Sequence, residues 1–462
     1  MFMKNPSLKR ALALLLITFA PAVYAEDYSQ QIADIITKTL DENTQPKYIG
    51  IKIQSIATGE TLYTKNSDQL FVPSSNLKLF TALGAFLSLS PNFTFQTQLL
   101  TDNNNIYIKF DGDPSFTDSD LNNLFVSLKK SGVSEITGNI YIDDAAIGGR
   151  NAGPGWMWDE LNICYASPIT SIMINHNCVS YTLSPDASLK PKTLIDTVNI
   201  INQSTVSDED PKSCPLDLTT IGHNDYVLTG CIPKNAKPID LAIGLSDPEH
   251  YARDLITQML KNNQIAFKGE IIEGITPAGS KIAATHFSKP LADLIRDMLK
   301  NSDNQIAEIL LKTIGAHYYH QPTNWGKSVE ALKAILSQNT KINLQNAVIV
   351  DGSGVSRYNL ITPDQISALL NSVFHDKAIA KSYIESLPVA GKDGTLQDRM
   401  KNLKGNVYAK TGSMTGAESL SGYIQTKHHS VLSFVIMMNN FSMTKKQAAD
   451  LEDSIVEQLA NT

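Results

Sequence analysis

Three short patterns in this 462-residue chain combine residue types able to do chemistry together. The first is Ser75-Asn76-Leu77-Lys78. On a helix, residues three apart share a face, which brings Lys78 within hydrogen-bond reach of Ser75. A serine hydroxyl is a weak nucleophile until a base removes its proton. A lysine with a lowered pKa is such a base. The second pattern is Ser302-Asp303-Asn304, in which a second hydroxyl can relay a proton and an amide can hold both a lysine and a peptide group. The third is Lys410-Thr411-Gly412-Ser413, which offers a cation and hydroxyls suited to a carboxylate, with Gly412 allowing a close backbone approach. A second cation near Lys78 would also depress its pKa. Singly the patterns are weak: Ser-x-x-Lys recurs at Ser127…Lys130 and Ser442…Lys445 on surface-helix sequence. In combination they describe serine acyl transfer.

The elements that must carry these residues can be read from periodicity. Pro73 and Ser74 precede a run with Leu77, Phe80, Leu83, Phe86 and Leu87 at helical spacing, so Ser75 stands where a helix begins. A mainly helical stretch runs from Pro290 to about His317, followed by another from Trp325 to Leu336. Lys410 falls on a strand spanning Asn406 to Ser413. Strands at Tyr48–Ile56 and Thr61–Lys65, and at Ser419–Gln425 and Ser430–Met438, complete a set of five. They can form one antiparallel sheet if the chain ends meet, with helices on its faces and a last helix from about Thr444. Between them, Thr94–Asp111, Ile136–Asp143 and Pro185–Gly244 are strand- and turn-rich, with a helix at Asp118–Lys130. The expected organisation is residues 26–91 and 286–462 as the catalytic domain and 92–285 as one or two inserted, mainly β domains. The fold class is α+β.

The N-terminal stretch is excluded from the fold. Lys4, Lys9 and Arg10 precede the apolar run Ala11–Phe19, and Val23-Tyr24-Ala25 closes it with small residues at the positions a signal peptidase reads. Residues 1–25 are therefore expected to be a secretory signal, too short to anchor in a bilayer. No later run is long and apolar enough to span one. Removing the three basic residues leaves 36 basic against 46 acidic side chains, a formal charge of −10. An acidic chain is a poor nucleic-acid binder. All four cysteines follow the signal, and in a secreted chain an even number favours disulfides. Pairing by proximity suggests Cys164–Cys178 and Cys214–Cys231. No Cys-x-x-Cys supports zinc, and His317 and His320 lack a neighbouring acidic ligand, so no metal or other cofactor is expected.

The ordered set Ser-x-x-Lys, Ser-Asp-Asn and Lys-Thr-Gly is shared by class A β-lactamases and penicillin-binding proteins. Further stretches narrow the likeness: Gly112-Asp113-Pro114-Ser115-Phe116, Pro154-Gly155-Trp156, Asp351-Gly352-Ser353-Gly354-Val355-Ser356-Arg357, and Gly391-Lys392-Asp393-Gly394-Thr395-Leu396. With these the mature chain resembles the class C low-molecular-mass penicillin-binding proteins, the D-alanyl-D-alanine carboxypeptidase/endopeptidases. The long interval between Lys78 and Ser302 fits that family's habit of inserting domains into a transpeptidase-like domain with a five-stranded antiparallel sheet. The resemblance implies a periplasmic enzyme acting on peptidoglycan peptides and acylated by β-lactam antibiotics. Ser75 would be the nucleophile, Lys78 the base, and Ser302 the proton relay. Asn304 would bind the substrate amide, and Lys410, Thr411 and Ser413 the terminal carboxylate. Ser75 and Ser413 backbone N–H groups would form the oxyanion hole. The pair Asp159 and Glu160 aligns with a region that can contact the amino end of a diaminopimelate side chain, without the sequence deciding which of the two matches. Asp351, Arg357 and Asp393 are read as bracing turns. Ser74 is a rival to Ser75, but only Ser75 has lysine three residues on. A serine β-lactamase and a non-catalytic cell-wall binding protein are the alternative readings, and the oligomeric state is left open.

Overall fold

The computed structural model describes residues 22–42, 48–192, 197–208, 213–428 and 430–462. Most of the expected signal segment, residues 1–21, lies outside them. The helix Ala22–Asp41 begins within its last residues.

The ends of the chain do meet. One antiparallel sheet runs in the order Val407–Met414, Ala417–Gln425, Val431–Asn439, Tyr48–Ser55, Thr61–Lys65. The N- and C-terminal parts join where Tyr48 pairs with Asn439 and Ser55 with Leu432. The strand period of two sorts side chains between two cores. Phe434, Ile436 and Met438 join Ile49, Ile51 and Ile53 beneath Ile32 and Ile36 of the first helix and Leu451, Ile455 and Leu459 of the last. Val435 and Met437 face the opposite core, with Leu77, Phe80, Leu83, Leu310 and Leu369. Both faces are covered, which is why Phe434–Met438 reads as a continuous apolar run rather than an alternating one. The last helix, Lys445–Ala460, starts at a capping box of Thr444 and Gln447.

A second five-stranded sheet has the order Ile271–Glu273, Ile140–Asp143, Asn105–Lys109, Gln96–Asp102, Lys281–Phe287. Two helices, Asp118–Lys130 and Pro248–Asn262, bury Leu124, Phe125, Leu255 and Ile256 in a core shared with this sheet. The second helix is absent from the periodicity reading, yet its start signal is present: Asp247 caps it and Pro248 occupies its first turn. Smaller sheets fill Cys178–Gly244, including Cys178–Leu183 paired with Ile239–Gly244. Both expected disulfides are formed, Cys164–Cys178 and Cys214–Cys231, with Cα separations of 5.3 and 5.5 Å.

Candidate active site

The Ser-x-x-Lys pattern lies at a helix start. Residues Ser74–Leu77 form one 3-10 turn that runs directly into the helix Lys78–Ser88. Ser74 is buried, with φ 48°, whereas Ser75 lines an open cavity of about 320 Å³. This separates the two rival serines. The turn is held against the sheet by Asn76, whose Nδ2 donates to Ser419 Oγ at 2.5 Å, and by Ser419 Oγ donating to the Pro73 carbonyl at 2.8 Å. Gly412 is what permits this approach. A Cβ there would meet Ser419 Oγ, with the Pro73 carbonyl at 2.7 Å and Asn76 Nδ2 at 3.0 Å.

The second pattern sits at a break between helices. The helical stretch expected from Pro290 to about His317 divides into Leu291–Asn301 and Asn304–Tyr319. Ser302 ends the first in the left-handed region at φ 59°, and Asp303 Oδ1 caps the second by accepting from Ile306 N at 2.9 Å. The break sets Ser302 against Lys410 and Asn304 against Lys78 instead of spacing them around one helix.

Lys78 is the centre of the site. It is fully buried, and its Nζ donates to Ser75 Oγ at 2.9 Å, Asn304 Oδ1 at 2.7 Å and the Ser353 carbonyl at 2.9 Å. Burial lowers its pKa to about 8, against the opposing pull of Glu308, Asp303 and Asp351. Glu308 is buried below it and accepts from Gly352 N at 2.7 Å and Ser353 N at 2.9 Å, so it fixes the loop that presents the Ser353 carbonyl. Burial pushes the Glu308 carboxyl upward, and the neighbouring Asp351 adds to the push.

Lys410 is buried as well and donates to Ser302 Oγ at 2.9 Å and to the Thr411 carbonyl at 2.7 Å. Burial, and then the charge of Lys78, holds its pKa well below the ordinary lysine range. Thr411 Oγ1 donates to Thr395 Oγ1 at 2.8 Å. Ser413 lines the cavity, but its hydroxyl donates to Glu418 Oε2 at 2.8 Å, a carboxylate that burial raises to about 7.

The cavity is lined by Ser75, Ser302, Asn304 and Ser413 together with Glu160 and Arg357. Of the acidic pair, Glu160 faces the cavity, while Asp159 is exposed and is not part of its lining. Asp351 and Asp393 do brace turns. Asp351 accepts from Gly354 N, Ser356 N, Asn359 Nδ2 and Trp156 Nε1, and Asp393 from Lys300 Nζ and Val389 N. Arg357 does more than the sequence reading allows it: its Nη2 donates to the Thr415 carbonyl at 2.7 Å and its side chain lines the cavity. The sequence reading also misses Ser353 and Glu308. The only local signal for Glu308 is its position one helical turn after Asn304. Among the described residues no group of three or more His, Cys, Asp or Glu is arranged to hold a metal ion, and no helix is long and apolar enough to cross a membrane.

This geometry can be set beside known proteins. Residues 29–462 match the D-Ala-D-Ala carboxypeptidase 3 (S13) family. The D-alanyl-D-alanine carboxypeptidase DacB of Haemophilus influenzae is 30% identical over 449 residues, covering 93% of this chain and 91% of that protein. The crystal structure of penicillin binding protein 4 (dacB) from Haemophilus influenzae is similar with a TM-score of 0.86 at 28% identity, covering 92% of this chain and 99% of that one. The structure of that protein complexed with a novel beta-lactam is similar with a TM-score of 0.81 at 27% identity, over 92% and 99% of the two chains.

Proposed function

The chain belongs to the D-Ala-D-Ala carboxypeptidase 3 (S13) family, and from that premise we propose that it hydrolyses D-alanyl-D-alanine peptide bonds of peptidoglycan through an acyl-enzyme on Ser75. The observation that carries the assignment is the 2.9 Å contact between Ser75 Oγ and the buried Lys78 Nζ. Neutral Lys78 takes the hydroxyl proton as Oγ attacks the carbonyl carbon of the penultimate D-alanine. The backbone N–H groups of Ser75 and Ser413 receive the developing oxyanion. Ser302, hydrogen-bonded to Lys410, passes its proton to the departing amine of the terminal D-alanine and is reprotonated by the proton Lys78 took from Ser75, which leaves Lys78 neutral for the attack of water. Water then cleaves the ester and regenerates Ser75. Asn304 holds the substrate amide, and Lys410 and Thr411 attract the terminal carboxylate.

The cavity's two opposite charges fit a side chain that ends in both an ammonium and a carboxylate. Glu160 would take the ammonium of a diaminopimelate residue and Arg357 its carboxylate. The same site would serve as a DD-endopeptidase on cross-linked peptides. β-Lactams, which mimic the scissile amide, would acylate Ser75. We further propose secretion with cleavage after Ala25 and a periplasmic location. Residues 26–91 and 286–462 are the catalytic domain and 92–285 the insert. That division is supported by Gln98 pairing with Thr285, which makes the insert leave and rejoin the chain at neighbouring points.

The test is intact-protein mass spectrometry after incubation with benzylpenicillin, with peptide mapping and release of D-alanine from a pentapeptide followed in parallel. One stable penicilloyl group on Ser75, lost in Ser75→Ala together with peptide hydrolysis, is the expected result. Hydrolysed penicillin without an adduct would instead identify a β-lactamase. Intact penicillin, no adduct and no peptide hydrolysis would identify a binding protein.

A further inference from the structure

The segment closed by the Cys164–Cys178 disulfide contains three consecutive residues in the left-handed region: Asn175 at φ 51°, His176 at 60° and Asn177 at 51°. Side chains with a Cβ adopt this conformation at a cost, and asparagine tolerates it best. A run of three persists only where the surroundings over-determine it. Here they do. Asn175 N donates to the Phe116 carbonyl at 2.9 Å, and Asn177 Nδ2 to the Pro168 carbonyl at 2.9 Å. Ser167 Oγ donates to the His176 carbonyl at 2.7 Å, and Leu245 N to the Asn177 carbonyl at 2.9 Å.

The product of this turn is the position of one imidazole. His176 Nδ1 lies 3.2 Å from Asp303 Oδ2, while Asp303 Oδ1 caps the following helix. The same segment grips the next two residues as well. The Tyr165 carbonyl accepts from Asn304 Nδ2 at 2.8 Å. Gln305 Nε2 donates to Ser167 Oγ at 3.0 Å and to the Cys164 carbonyl. Three consecutive residues, 303 to 305, are thus fastened to one disulfide-closed segment, and the middle one presents its Oδ1 to Lys78.

We propose that His176 is a positioning residue for acylation: by holding Asp303 Oδ2 it fixes the helix start that sets Asn304 against Lys78. It touches neither Ser75 nor the substrate and acts through Asp303. The inference rests on the reading of Ser75, Lys78 and Asn304 as the acylating group.

The experiment measures benzylpenicillin acylation in His176→Asn, Asp303→Asn and the double variant, each as the full mature chain. Asparagine keeps the left-handed turn at 176 but is too short to reach Asp303. At 303 it keeps the helix cap and loses the charge. Titration with labelled penicillin counts competent sites, and stopped-flow gives the rate per site. The expected result is an unchanged number of sites, a per-site rate lowered about tenfold in each single variant, and little further loss when they are combined, since residues acting as a unit are not additive. A normal per-site rate in His176→Asn would overturn the proposal, as would independent losses that multiply in the double variant. If His176→Asn does not fold, Asp303→Asn decides on its own: a normal per-site rate there removes the route by which His176 would act. Absence of acylation in the unmodified protein would sink the reading of Ser75 instead.

Discussion

Lys78 Nζ stands 2.7 Å from Asn304 Oδ1, although 226 residues separate them in the chain. The contact joins the helix that begins at Lys78 to the helix behind the Ser302–Asp303 break. With Ser75 Oγ and the Ser353 carbonyl, it gives Lys78 one acceptor for each ammonium proton. When the amine is neutral, two N–H groups can stay on Asn304 and Ser353 while the lone pair faces Ser75. The surroundings thus orient the amine as well as lower its pKa.

On the proposed roles, replacing Lys78 should stop the reaction while Ser75 stays in place. Lys78→Met is expected to slow penicilloyl-adduct formation by about 10²- to 10⁴-fold, the usual worth of a positioned general base. Adduct mass followed over time measures it. A rate within threefold of the unmodified protein would exclude Lys78 as base.

Acylation should depend on pH in a fixed direction. An amine can act as a base only when neutral, and burial lowers the Lys78 pKa to about 8. The rate should therefore fall, towards about tenfold per unit, as pH drops below about 8, and level off above it. The stability sign follows separately. From about pH 8 up to the ordinary lysine value of 10.5, the unfolded chain holds the proton that the folded chain has released. The contribution of Lys78 to stability therefore grows as pH rises through that window.

Glu308 offers a check on the cause. Its charge raises the Lys78 pKa, so Glu308→Gln should move the acid limb of acylation to lower pH, by up to about one unit. A pH–rate profile with no displacement would mean that Glu308 carries no charge while Lys78 titrates.

Gly412→Ala should disable the site by packing rather than by chemistry. The added methyl would meet Ser419 Oγ and the Pro73 carbonyl, which hold the Ser75 turn. Overpacking of this kind costs about 1–3 kcal/mol. The expected outcome is a lower melting temperature and acylation reduced at least tenfold, read by calorimetry and adduct formation. Full activity with unchanged stability would refute the account of Gly412.

The two disulfides should behave differently when replaced by serine pairs. Each closes a short loop, with sequence separations of 14 and 17, so each removal should cost about 3 kcal/mol by loop entropy. Only the Cys164–Cys178 pair borders the residues that grip 303–305. Loss of that pair should also slow acylation per competent site, while loss of Cys214–Cys231 should leave it unchanged. Equal per-site rates in both variants would contradict this.

Much of this was legible from the residues themselves. Ser75 and Lys78 share a helix face by spacing alone, and Ser75 is preferred to Ser74 because only it has a lysine at the third position. The five sheet strands follow from apolar runs of strand length, and the disulfides from four cysteines in two near pairs. These are local properties, fixed by covalent neighbours and by the periods of helix and strand.

What the tertiary structure alone decided lies where distant segments are buried against one another. Local spacing does not say that Glu160, not Asp159, faces the cavity. Nor does it say that Ser413 gives its hydroxyl to Glu418, that the Ser353 carbonyl completes the surroundings of Lys78, or that His176 meets Asp303. The helical stretch breaks at Ser302, where the left-handed residue and the aspartate that caps the next helix are met by Lys410 and His176 from elsewhere in the chain. The pKa of Lys78 belongs to the same class. It is lowered because folding removes water from around the amine, and no arrangement of neighbours along the sequence can do that.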